Sequence, residues 1–230
     1  TGSSNMAHVF SPLVQTGEIS LSAAQNALLR ISDRVDIKLS LTGGEGQSCK
    51  GILESIEMQT EGEIRSALLL KGAFRRPDGG RIFGFQMRAS VFAGLSKVYL
   101  EPQILIDSQE GLMQNIQNLS LGVVPLSTVR SASIGGKLGW SGRPVSTLRL
   151  FQVDDVNYRL EGARAKGSKA PGWGQIEDEK GTIAVAIRDF WQQWPKSIGV
   201  DSEKLEIGLF PEFEKSTFDH MKPWYKYQYL

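Results

Sequence analysis

Residues 62–92 read GEIRSALLLKGAFRRPDGGRIFGFQMRASVF, and this stretch carries the strongest fold signal in the chain. Its first part, 62–74, is a long strand pattern whose middle, Ala67 to Leu70, is apolar on both sides. RRPDGGR (75–81) then has the chemistry of a tight reversal. Pro77 presets φ, and Gly79 and Gly80 admit positive φ. The return, 81–92, sets Phe83, Phe85, Met87 and Ala89 at alternate positions, the period of a strand with one buried face. The pattern predicts a long antiparallel hairpin.

The same signature recurs in both directions. RVDIKLSL (34–41) alternates Val35, Ile37, Leu39 and Leu41 with Asp36, Lys38 and Ser40. KVYLEPQILI (97–106) is a strand whose Pro102 points to a sheet edge or a bulge. DSQEG (107–111) turns, and NLSLGVVPL (118–126) continues the series. STLRLFQVDD (146–155) and NYRLEG (157–162) predict a hairpin. GWGQIED (172–178), a turn at 179–181 and TIAVAIRDF (182–190) predict another. EKLEIGLFP (203–211) is a last strand ended by Pro211. The one predicted helical piece is AIRDFWQQW (186–194), stopped by Pro195. SLSAAQNALLRISD (20–33) reads as a helix or as two strand pieces.

Strand following strand with Gly- and Pro-bearing turns predicts an all-β fold. The expectation is a large antiparallel β-sandwich with one short helical turn near 188–195. The expected organisation is an N-terminal segment or linker over 1–33, the sandwich over 34–211, and a following segment beginning at 212–230. Both chain ends read as cut. The aromatic run KPWYKYQYL (222–230) is expected to pack against further chain rather than only against this domain's own core.

Composition narrows the function. The chain has 230 residues, 40% hydrophobic and 22% charged, which argues against global disorder. No apolar run reaches the roughly 18–20 residues of a membrane-spanning helix. With 26 basic against 25 acidic residues, no electrostatic signal points to nucleic acid or an anionic membrane. A single cysteine, Cys49, excludes an intrachain disulfide and a multi-cysteine zinc site. Neither a nucleotide-binding fingerprint nor a G-x-S-x-G elbow is present, so no cofactor and no metal are expected.

What stands out is aromatic. All five tryptophans, Trp140, Trp173, Trp191, Trp194 and Trp224, fall in the second half. Trp173 lies between glycines in PGWGQ, a setting that can leave an indole open to solvent. Taken singly each ring is a core residue by default, because aromatics dominate buried area. Taken together, Trp173, Trp191, Trp194 and Trp224 are candidate sugar-stacking residues. β-Elimination on a uronate polymer would need a cation on the carboxylate, a base for the C5 proton and an acid for the leaving oxygen. RDFWQQWPK and HMKPWYKY contain those types in Arg188, Lys196, His220 and Tyr225.

The order of GEIRSALLLKG, a DGG turn, FGFQMRASVFAGLSKVYLEPQILID, NLSLGVVPL, LFQVDD, GWGQIEDEKGTIAVAIRDFWQQWPKSI and LEIGLFPE resembles the central β-sandwich domain of the exo-rhamnogalacturonan lyase family. The resemblance spans most of 34–211. It implies a secreted or periplasmic, multidomain, carbohydrate-active protein whose partner is a pectin-like polysaccharide or oligosaccharide. It also implies that flanking domains, a small barrel before and a helical toroid after, complete the protein. It carries no catalytic residue across by position. In that family the RDFW…WPK stretch is a structural signature, so packing by Phe190, Trp191 and Trp194 is favoured there, with Gln192, Gln193 and Lys196 facing out. The alternatives are a non-catalytic saccharide-binding module and a purely structural sandwich.

Overall fold

The structure, a computed structural model, describes residues 29–31, 34–44, 46–107, 115–135, 138–141, 147–162 and 165–212. Among these residues there is no helix, and every strand pairing is antiparallel.

The predicted hairpin is β4 (Arg65–Arg75) and β5 (Arg81–Phe92). Its turn closes as Pro77 and the glycines dictate: Gly79 sits at φ +88° and its N–H donates to the Arg76 carbonyl at 2.9 Å. Phe83, Phe85, Met87 and Ala89 are all buried, on one face of β5. Gly72 is the residue directly opposite Phe85. A Cβ on Gly72 would stand 2.5 Å from the Phe85 ring and 2.1 Å from the Ile52 carbonyl, so only glycine lets the ring lie across the strand. Phe74 meets the same ring edge-on, with centroids 5.4 Å apart.

This hairpin is part of a large sheet. Before it come β1 (Leu29–Ile31), β2 (Val35–Gly43) and β3 (Ser48–Thr60). After it come β6 (Val98–Leu105) and β7 (Ile116–Pro125). β8 (Ser131–Ile134) and β9 (Leu138–Ser141) leave for a second sheet. β10 (Leu148–Gln152), β11 (Tyr158–Glu161) and β12 (Ala165–Gly167) return to the first. β13 (Trp173–Asp178) and β14 (Gly181–Ala186) form the second predicted hairpin. β15 (Lys196–Val200) and β16 (Leu205–Phe210) finish the large sheet. Its order is β12-β11-β10-β15-β16-β7-β2-β3-β4-β5-β6, with β1 on β2. The small sheet runs β14-β13-β8-β9.

β6 is an edge strand, as Pro102 indicated. Leu29–Ile31 takes the strand alternative for that part of 20–33, and 20–28 lie outside the described residues. The helical turn near 188–195 is a single turn, closed by the Gln193 N–H on the Asp189 carbonyl at 3.0 Å.

The sandwich arises where β13 and β8 lie over β15, with further contacts to β10 and β16. Ile176, Ala132 and Ile134 from the small sheet share one buried cluster with Leu148, Leu150, Ile198, Val200 and Leu205 from the large one. Asp178 ties the layers together at the far end of β13. It accepts from Arg34 Nη2 at 2.6 Å, from the Ser127 hydroxyl, and from the Lys180 amide at 2.7 Å. Burial raises its pKa, but the hydrogen bonds from Ser127, Arg34 and Lys180 together hold it below the ordinary aspartate value.

β3 and β15 carried no strand signal of their own. β3 shifts register between Leu53 and Ser55 and again between Met58 and Thr60, which breaks the period-two pattern. β15 is buried at all five positions, so it has no wet face to reveal a period.

Candidate functional site

The outer face of the small sheet follows from alternation along β13. Gly174, Ile176 and Asp178 are buried, so Trp173, Gln175 and Glu177 point the other way. The register sets Ala186, Ala184 and Thr182 of β14 beside them on one side. Ser133 and Ser131 of β8 lie opposite Gln175 and Glu177 on the other. Ser131 Oγ donates to Glu177 Oε2 at 2.7 Å. Trp173 has only an alanine, Ala186, beside it on β14 and is half-buried. The face therefore offers one large aromatic ring among amide, hydroxyl and carboxylate groups.

Two loops meet at the Trp173 end of this face. The Ile187 N–H donates to the Gly172 carbonyl at 2.9 Å. Gly172 has φ +60°, and a Cβ there would stand 2.2 Å from Phe190 Cβ, so Phe190 seats directly against bare backbone. Phe190 is 3% exposed and belongs to the core cluster. Trp191, the next residue, is half-buried, and Lys169 Nζ rests 4.4 Å from its ring centroid. Lys169 itself is anchored through its neighbour: the Ala170 N–H donates to Oε1 of the fully buried Gln152 at 2.9 Å, and Gln152 Nε2 donates to the Asp154 carbonyl at 2.7 Å. Arg188 projects into solvent with its side chain 95% exposed, 3.5 Å from the Asp189 carboxylate.

Lys196 departs from expectation. The sequence pattern had it facing out beside Gln192 and Gln193, yet it is 5% exposed. It opens β15 directly opposite Gln152 and so falls on the covered side of the sheet. Its ammonium donates to the Leu209 carbonyl. Leu209 lies in the register shift of β16, between Gly208 and Phe210, which leaves it out of step with β7. Loss of water with no neighbouring acid lowers the Lys196 pKa to about 8.

Of the eight residues singled out in sequence, Trp173, Trp191, Trp194 and Arg188 are at least partly open to solvent and Lys196 is enclosed. Arg188 and Lys196 thus do not share a surface. His220, Trp224 and Tyr225 lie outside the described residues. Lys169, Gln175 and Glu177 were not anticipated. The alternation in GWGQIED does place Gln175 and Glu177 with Trp173, whereas nothing local marks Lys169, which sits in a linker-like stretch. Among the described residues no three or more of His, Cys, Asp and Glu converge as a metal site requires.

Residues 163–208 match the family model described as PcRGLX-like protein central beta sandwich domain. The matched segment runs from β12 into β16 and includes both loops and the β13 and β14 part of the Trp173 face, but not β8. No curated protein matches the chain.

Proposed function

We propose that this chain is the β-sandwich domain of a carbohydrate-active protein and that the outer face of its small sheet binds saccharide. The observation that carries this reading is the half-buried Trp173 indole, open to solvent in part, beside Gln175 and Glu177 on a sheet face otherwise built from small side chains. A pyranose has an apolar C–H face that stacks on an indole and hydroxyls that bond to amide, hydroxyl and carboxylate groups. That these elements fall within the segment matching a PcRGLX-like central sandwich supports the class.

The finer reading is a uronate-containing polysaccharide of pectin type, cleaved by β-elimination in a secreted or periplasmic protein. The exposed Arg188 guanidinium suits neutralisation of the uronate carboxylate, which acidifies the C5 proton. Proton transfer then falls to groups outside the described residues, with His220 and Tyr225 the candidates in this chain and further domains completing the cleft. Lys196 stays out of this scheme because its amine is engaged inside the sandwich.

Two assays test the proposal together. The folded chain is titrated with rhamnogalacturonan, homogalacturonan and neutral galactan fragments, alongside Trp173→Ala, and ultraviolet absorbance reports any new C4–C5 double bond. Binding that Trp173→Ala removes supports the saccharide surface, and rising absorbance extends it to elimination. A folded chain that binds none of the panel refutes the reading and leaves a structural module.

A further inference from the structure

The geometry points to an acidic-sugar subsite at the Lys169–Trp191 corner, where the indole would take the apolar face of a pyranose and the Lys169 ammonium its carboxylate. This deepens the saccharide-binding reading above and rests on it. Among the described residues only Lys169 and Asp189 hold positive φ without being glycine, at +51° and +53°. They flank this one corner, one on each loop. Left-handed backbone at side-chain-bearing residues is unfavourable and persists where surrounding bonds over-determine it. Here the bonds are visible. The Ala170 amide is held by Gln152, the Asp189 carbonyl by Gln193, and Gly172 is pressed on Phe190. Lys169 and Trp191 are therefore presented to each other by rigid backbone.

The ammonium over the indole sets the selectivity. It occupies the neighbourhood that a sugar ring needs. A neutral pyranose must displace it and obtains no ionic contact in return. A uronate draws the ammonium to its carboxylate while its C–H face replaces it on the ring. Charge on the two loops agrees: Lys169 and Arg188 are exposed there against the single carboxylate of Asp189.

The test is calorimetry on the intact chain with trigalacturonate and the neutral β-1,4-galactotriose. Wild type should bind the acidic trimer about five- to tenfold more tightly at low salt, and the preference should shrink as ionic strength rises. Lys169→Gln should bring the two affinities together, and Lys169→Arg should keep the preference. Lys169→Gly, which suits the left-handed backbone, should lose the preference while remaining folded, so that the loss cannot be charged to unfolding. Equal or tighter binding of the neutral trimer by wild type, or an undiminished preference in Lys169→Gln, overturns the subsite and leaves the general saccharide surface standing. Binding of neither trimer overturns both.

Discussion

Replacing Lys196 by methionine should stabilise this protein at neutral pH, although it removes a hydrogen bond. The lysine amine is enclosed between β10, β15 and β16, with the Leu209 carbonyl as its partner. Its pKa falls from 10.5 to about 8. That difference converts to about 3 kcal/mol of cost for keeping the folded amine charged, at ~1.4 kcal/mol per pH unit. Methionine has similar length and no charge, so the cost disappears. The orphaned Leu209 carbonyl returns about 1 kcal/mol of it. The net expectation is a gain of about 2 kcal/mol at pH 7. The pH dependence gives a second, independent handle. Between pH 8 and 10.5 the unfolded chain holds a proton on Lys196 that the folded chain has released. Wild-type stability from this group therefore rises with pH across that window and is lowest below it. The gap between Lys196→Met and wild type should be widest near pH 7 and narrow by pH 10. Urea unfolding of both proteins at pH 7, 8.5 and 10 measures this, with equal m-values confirming comparable transitions. A methionine variant less stable than wild type at pH 7, or a gap that does not change with pH, would refute the buried-cation reasoning.

Three further outcomes follow from the packing. Asp178→Asn should cost about 1–3 kcal/mol by weakening the tie between Arg34, Ser127 and β13. Because the folded Asp178 pKa is depressed, that stabilisation is present above the ordinary aspartate range and lost as pH falls through the folded value, which acid titration of wild type against the variant would show. Gly72→Ala should cost about 1–3 kcal/mol, since the new methyl meets the Ile52 carbonyl and the Phe85 ring, and thermal melts would detect it. Phe190→Ala should lose about 3–5 kcal/mol and Trp173→Ala clearly less, separating a core ring from a half-buried one in the same denaturation series.

Much of the fold was legible because its signals are local. The alternation Phe83, Phe85, Met87, Ala89 and the turn at Pro77–Gly80 specify a hairpin from within thirteen residues, and GWGQIED with TIAVAI specifies another. β3 was not legible, because its two register shifts scramble the period, nor was β15, because burial on both faces erases it. The candidate site was legible only in part. Trp173 was singled out for its glycine neighbours; in the structure it is half-buried, and those glycines make room for Phe190 and Ile198. Lys169 gave no sign, because its place over Trp191 depends on a hydrogen bond to Gln152 from a different strand.

Lys196 marks the boundary between the two kinds of information. By itself the sequence determined most of the long strands, the hairpins β4–β5 and β13–β14 and the side chains that share a face in regularly alternating strands, since those properties follow from neighbours along the chain. The short strands β8, β9 and β12 were missed along with β3 and β15. It could not determine what covers each face. β15 is inserted between β10 and β16, and β13 and β8 lie across it, so the covered side of Lys196 is decided by long-range pairing. A lysine after Trp-Pro reads as solvent-facing because charge prefers water. Only the tertiary arrangement, with a register shift at Leu209 offering a carbonyl inside the sandwich, provides the partner that lets that amine be buried.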